Sequence, residues 1–288
     1  TDINLSLTAS RWNTCGLWFR VACDSGCGPC ALVLYGARSS IHLGDRPSVC
    51  SRLVRGVMAQ LYYHPFCPHS RFIRIVMDEY GMEPEMIEER IFERRQDFLI
   101  LNPANTTPVL TDGQMVSAIV GPNVIAEYLD ETRGLALGAR RLMPEDPAGR
   151  VEVRRLLEWF NGKFFAEVTQ WLVQEKVYKR QMRSDQGGGA PDMELVRAAR
   201  HNIRYHLRYI GWLVQTRNWL AGDKMTYADL AAAAHLSSVD FLGDVPWGED
   251  EAAKHWYARV KSRPSFRAIL NDRLPGITPA PEYVNLDF

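Results

Sequence analysis

From residue 58 onward, short apolar runs alternate with stretches of helical periodicity, and their order predicts a fold. Gln60-Leu61-Tyr62-Tyr63 reads as a strand ended by His64-Pro65. Residues 70–80 place Phe72, Ile73, Ile75, Val76 and Met77 at helical spacing and stop at Gly81. Residues 85–90 read as a second strand, and residues 93–101 as a brief helix closed by Asn102-Pro103. Pro108-Val109-Leu110 and residues 115–120 flank Asp112-Gly113, the pattern of a hairpin. Pro122 suits the first position of a helix reaching about Glu131. This strand–helix–strand then hairpin–helix order predicts a thioredoxin-like α/β domain over residues 58–134. Its crossover helix makes the first two strands parallel, and its hairpin adds antiparallel ones.

After the Gly-containing linker 133–138, every periodic stretch is helical, which predicts an all-α domain over residues 143–288. Val153, Leu157, Phe160, Phe164, Val168 and Trp171 recur every three or four positions, the stripe of a core-facing helix over about 146–182. Gly187-Gly188-Gly189-Ala190-Pro191 breaks it, and Asp192 caps a second long helix to about Arg217. Thr226-x-x-Asp229 has the form of a capping box before a run of small apolar residues. Two shorter helices follow over 249–263 and 264–270, and the Pro-rich stretch 273–288 reads as an extended tail.

The first 57 residues differ from the rest. They contain five of the six Cys, none of the nine Met, no Lys and no Glu. Met58 is therefore the expected natural first residue, with 1–57 a disordered or artefactual leader. Cys23-x3-Cys27-x2-Cys30, with Cys15 nearby, has iron–sulfur or zinc spacing, but no partner Cys pair follows, so no metal is expected. Beyond the leader a single Cys67 remains, which fits a reducing cytoplasm. Net charge is zero, with 34 basic against 34 acidic residues, and this argues against nucleic-acid binding as the main task. No apolar run approaches the roughly 18 residues that span a bilayer.

Three places carry candidate chemistry. Cys67-Pro68-His69-Ser70 opens the first helix, where the helix dipole favours a thiolate; Cys67 and Ser70 are the candidate catalytic pair. The same Cys67 equally suits a tightly packed turn with an incidental thiol. Arg197, Arg200, Arg204 and Arg208 share one helical stripe, joined by Lys176, Lys179, Arg180 and Arg183, as either a solvated, ion-paired face or a dock for an acidic partner. The tail ends in Glu282-Tyr283-Val284-Asn285-Leu286-Asp287-Phe288, a mix of aromatic, aliphatic and acidic side chains suited to a linear contact or to packing on its own domain.

Thr106-Thr107-Pro108-Val109-Leu110, the run from Ile119 through Leu129, and the Thr226–Asp229 box together resemble the glutathione transferase superfamily. The resemblance implies a cis-proline turn at Thr107-Pro108 and a glutathione site at Thr107, Pro108, Gly121 and Pro122. In that family Glu-Ser stands where this chain has Gly121-Pro122, and its hydroxyl and backbone donors hold the γ-glutamyl carboxylate. Proline has neither a hydroxyl nor an N–H, so the site is expected to be degraded and glutathione to be dispensable. Residues 64–72, 89–95, 204–213, 242–247 and 286–288 place the resemblance in a branch associated with bacterial cell division. That branch implies a cytosolic homodimer at the division site that binds FtsZ filaments and promotes constriction. Arg197, Arg204, Arg208, Leu286, Asp287 and Phe288 are its expected partner contacts. The alternative expectation is a glutathione transferase or thiol reductase using Cys67.

Overall fold

The computed structural model describes residues 7–9, 19–21, 59–113, 115 and 117–285. Leu286, Asp287 and Phe288, Met58, and the cysteines at 15, 23, 27 and 30 lie outside the described residues. The chain divides into two units, Thr1–Val54 and Arg55–Phe288. In the first, strand β1 (Leu7–Ala9) pairs antiparallel with β2 (Phe19–Val21), Leu7 facing Val21 across the ladder.

The second unit begins with a four-stranded sheet in the order β4-β3-β5-β6. β3 (Gln60–Tyr63) pairs in parallel with β4 (Glu85–Glu88) and antiparallel with β5 (Val109–Thr111), which pairs with β6 (Ile119–Val120). A parallel neighbour needs a crossover, supplied by α1 (Pro68–Glu79). Period-two alternation sends Leu61 and Leu110 into the core and turns Tyr62 onto Phe98 of α2 (Gln96–Leu101), ring centroids 5.7 Å apart. Arg94 adopts a left-handed φ of 49°, so the expected helix over 93–101 is split into a single turn at Ile91–Glu93 and α2. Gly81 ends α1 at φ 64°, where the Met82 N–H reaches back to the Met77 carbonyl at 2.9 Å.

α3 (Pro122–Arg133) leads into the helical region. There α4 (Pro147–Glu158), α5 (Gln170–Val173) and α6 (Lys179–Gln181) form one continuous rod, joined by π-helical segments Trp159–Thr169 and Gln174–Tyr178. The wider π turn rotates the apolar face, so Leu172 and Val173 are buried where strict periodicity predicts Trp171, which is only partly buried. α7 (Met193–Thr216) starts on Asp192, whose carboxylate accepts the Glu194 N–H at 2.8 Å. α8 (Tyr227–Phe241) is buried along its whole length and packs against α1, α4 and α9 (Glu251–Lys261). α10 (Arg267–Leu270) and α11 (Pro281–Val284) complete the fold. The tail expected to be extended therefore contains a helical turn, because Tyr283 enters the core at 1% exposure. No helix among the described residues is long and apolar enough to cross a membrane.

Candidate functional site

The turn from His64 to Cys67 delivers the thiol to the start of α1. Phe66 donates its N–H to His64 Nδ1 at 3.2 Å, which leaves His64 Nε2 as the protonated nitrogen, 3.1 Å from the Gln181 amide oxygen. Ser70 is fully buried, and its Oγ accepts the His64 N–H at 3.3 Å, so this hydroxyl holds the turn from beneath. Arg71, also fully buried, donates to the Pro65 carbonyl at 2.7 Å and to Ser237 Oγ at 3.0 Å. Sequence reading did not single out Arg71, because its role depends on a partner 166 positions away in the chain.

Cys67 is the N-cap residue of α1 but makes no side-chain cap bond. It is 6% exposed, and its thiol lies 3.5 Å from the Thr107 carbonyl oxygen. The Thr107-Pro108 bond is cis, as the resemblance implies. The structure thus brings Cys67, Ser70, Thr107 and Pro108 into one corner. Tyr178, from the second π segment, closes it; burial pushes its phenol above the usual range, and neighbouring Cys67 adds to the rise. Among the described residues, Thr107 Oγ1 is buried without a hydrogen-bond partner, as is Asn105 Oδ1 two positions earlier in the loop.

At the start of α3 the anion-binding capacity is reduced. Gly121 holds φ at 91°, in the region that disfavours a side chain, and its N–H is engaged by the Pro108 carbonyl at 3.1 Å. Pro122 contributes no N–H, so the first two backbone groups cannot bind a carboxylate. Asn123 faces the helical region instead, accepting from Asn161 Nδ2 at 2.6 Å. Asn161 joins two histidines: its carbonyl accepts from His69 Nε2 at 2.9 Å, and its Oδ1 lies 3.2 Å from His235 Nε2. Thr169 Oγ1 reaches His235 Nδ1 at 2.9 Å. Burial depresses His69 to about 4 and His235 well below its ordinary value, so both imidazoles are neutral. This buried chain escaped sequence reading because its members are distant in sequence and meet only through the π segment.

The arginine stripe of α7 divides in two. Arg200 donates to Asp244 at 2.8 Å, alongside Lys176 at 2.6 Å, and Arg204 pairs with Glu249 at 2.6 Å. Arg197 is exposed without an ion pair among the described residues, and exposed Arg208 reaches only the Arg204 carbonyl. Beside them runs an aromatic ladder: Trp159 lies 4.4 Å from Tyr209, which stacks on Trp212 at 6.1 Å. Trp212 and Tyr205 are 55% and 50% exposed, a large aromatic area for a free surface. An open groove of about 700 Å³ lies elsewhere, lined by Tyr62, Ile87, Phe98 and Leu101; none of the nominated residues lines it. No cluster of metal-ligating side chains occurs among the described residues.

A glutathione S-transferase N-terminal domain matches residues 61–137, and a glutathione S-transferase C-terminal domain matches residues 190–264. The chain is 45% identical over 230 residues to FtsZ-localized protein A of Caulobacter vibrioides, spanning 79% of this chain and 97% of that protein. A crystal structure of a glutathione S-transferase from Sinorhizobium meliloti superposes with a TM-score of 0.78 at 52% identity, covering 80% of this chain and all 100% of that one. FzlA from C. crescentus superposes with a TM-score of 0.73 at 44% identity, covering 81% and 100%.

Proposed function

The chain belongs to the glutathione S-transferase family, and from that premise we propose that it works as a binding module of bacterial cell division. In this reading it is a homodimer at the division site that associates with FtsZ filaments and promotes constriction, with little or no glutathione chemistry. The observation that carries the reading is Gly121-Pro122 at the start of α3, where one N–H is engaged internally and the next is absent. Each lost charge-assisted bond to a carboxylate weakens binding by about one to two decades. The similarity to a protein named for its localisation with FtsZ supplies the partner.

The outer face formed by the start of the first π segment and by α7 suits association. Trp, Tyr and Arg dominate interface energetics, and Trp159, Tyr205, Tyr209 and Trp212 are flanked by Arg208. We assign the aromatic ladder to the second copy of the chain, and Arg197, Arg204 and Arg208 with Leu286, Asp287 and Phe288 to the filament. A two-fold pair presents two identical filament contacts, which permits bridging. Co-sedimentation with GTP-polymerised FtsZ tests this. The wild-type protein is expected in the pellet, and an Arg197→Glu/Arg208→Glu double variant is expected to be depleted from it. Absence of the wild-type protein from the pellet removes the reading.

A second reading keeps a catalyst. Cys67 at the start of α1 beside a cis-proline is the arrangement of a Cys-type glutathione transferase or thiol reductase, with Ser70 beneath it and Thr107 and Pro108 holding the peptide. It requires measurable heat on titration with millimolar glutathione.

A further inference from the structure

The aromatic ladder beside α7 rests on a tryptophan whose direction is set from inside the protein. Trp159 opens the first π segment, and its ring lies 4.4 Å from Tyr209, which carries the ladder on to Trp212. An indole has one polar hydrogen and no acceptor, so a single hydrogen bond decides which way its N–H edge faces. Here that bond runs inward, from Trp159 Nε1 to Nδ1 of His206 at 3.2 Å. His206 has no exposed side-chain surface and comes from the buried face of α7, 47 positions along the chain.

The imidazole accepts this hydrogen only on an unprotonated Nδ1, which leaves its own proton on Nε2. That proton needs an acceptor, and the Glu167 carboxylate lies 3.0 Å away. Glu167 is itself held by Lys163, and its backbone carbonyl accepts from Asn202 Nδ2 at 3.1 Å. The Lys163 ammonium stands 5.7 Å from the Trp159 ring centre and 6.0 Å from that of Tyr205. Phe164 packs on the imidazole, ring centres 4.7 Å apart. Lys163, Glu167, His206 and Trp159 thus form one directional chain, from a part-exposed ion pair through a buried ring to the base of the ladder. The histidine draws its hydrogen from a side chain of the surface ladder, so its tautomer and the indole's direction are set together.

We propose that His206 is a positioning residue for self-association: its Nδ1 fixes the Trp159 indole at the base of the ladder that a second copy of this chain covers. This rests on the self-association reading above. Trp and Tyr anchors carry much of the energy of an interface, and a ring already held in its bound orientation loses little freedom on contact. Without the bond the indole is free to turn about its side-chain torsions, and Tyr209 loses the ring against which it packs.

A double-mutant cycle on association tests the assignment, read as the dimer dissociation constant by sedimentation equilibrium of the full-length chain. His206→Phe keeps a buried ring and removes the acceptor, and is expected to weaken the dimer about tenfold. In a Trp159→Phe background, where no indole hydrogen remains to be held, the same change is expected to alter the constant less than about twofold. His206→Asn, which keeps an acceptor near the place of Nδ1, is expected to recover part of the loss. If His206→Phe fails to fold, Glu167→Ala decides the matter from a part-exposed position. It removes the acceptor that keeps the proton on Nε2 and is expected to weaken the dimer about threefold, and only while Trp159 is present. Equal losses in both backgrounds, or none in either, overturn the proposal, as does a dimer that Trp159→Phe leaves intact. A wild-type chain that sediments as a monomer instead overturns the self-association reading, and the role of His206 with it.

Discussion

At the scale of single residues, the decisive feature is what Pro122 withholds. A serine at this position would return one hydroxyl and one backbone N–H at the first position of α3, both within reach of an anion at the helix start. Pro122→Ser is therefore expected to raise glutathione affinity by about one to two decades over wild type, read by titration calorimetry. No gain would mean that the Gly121-Pro122 pair is not what limits binding. Cys67 shows the opposite relation between residue and role. Its place at a helix start was legible from Cys67-Pro68 alone, yet its 6% exposure and its contact with the Thr107 carbonyl depend on a loop forty positions away. Local sequence places a reactive group; distant sequence decides whether anything can reach it.

At the scale of elements, α8 and its cap organise the helical region. Asp229 closes the capping box on the Thr226 N–H at 3.0 Å, as the Thr226-x-x-Asp229 pattern predicts. Its other oxygen accepts from the Leu220 N–H at 3.0 Å and from Trp256 Nε1 at 2.9 Å, tying the preceding turn and α9 to the same carboxylate. Burial raises the pKa of this acid, and the four donors oppose the rise. Asp229→Ala removes the cap and strands buried donors, so it is expected to destabilise the fold by roughly 3 kcal/mol or more, measured by urea denaturation. A loss within a few tenths of a kcal/mol would mean that water replaces the carboxylate. The π segments had no comparable signal. Helical periodicity runs unbroken through Phe160, Phe164 and Val168, and the extra residue per turn reveals itself only where Leu172 takes the buried place expected for Trp171.

At the scale of the whole molecule, four neutral histidines make stability depend on pH. Burial lowers His64, His69 and His206 to about 4 and His235 well below its usual value. The Trp159 indole N–H donates to His206 Nδ1 at 3.2 Å, so His206 is neutral with its proton on Nε2 toward Glu167. These groups take up protons near pH 6.5 when unfolded but near 4 or below when folded. Their contribution is complete above about pH 6.5 and is lost as pH falls toward 4. At pH 5 the loss is on the order of 2 kcal/mol for each of His64 and His206, so the melting temperature is expected to drop steeply between pH 7 and pH 5. A flat profile across that range would require these imidazoles to be charged in the fold. The order of elements and the caps at Asp192 and Thr226 were readable along the chain, because each is a relation among residues within a few positions; the cis-proline turn and the Gly121-Pro122 substitution were readable only through the family resemblance. The division of the arginine stripe, the hold of His206 on Trp159 and the burial of Cys67 were not. Each depends on partners brought from far along the chain, such as Asp244 for Arg200 and Trp159 for His206, and only packing selects which groups meet and which remain free.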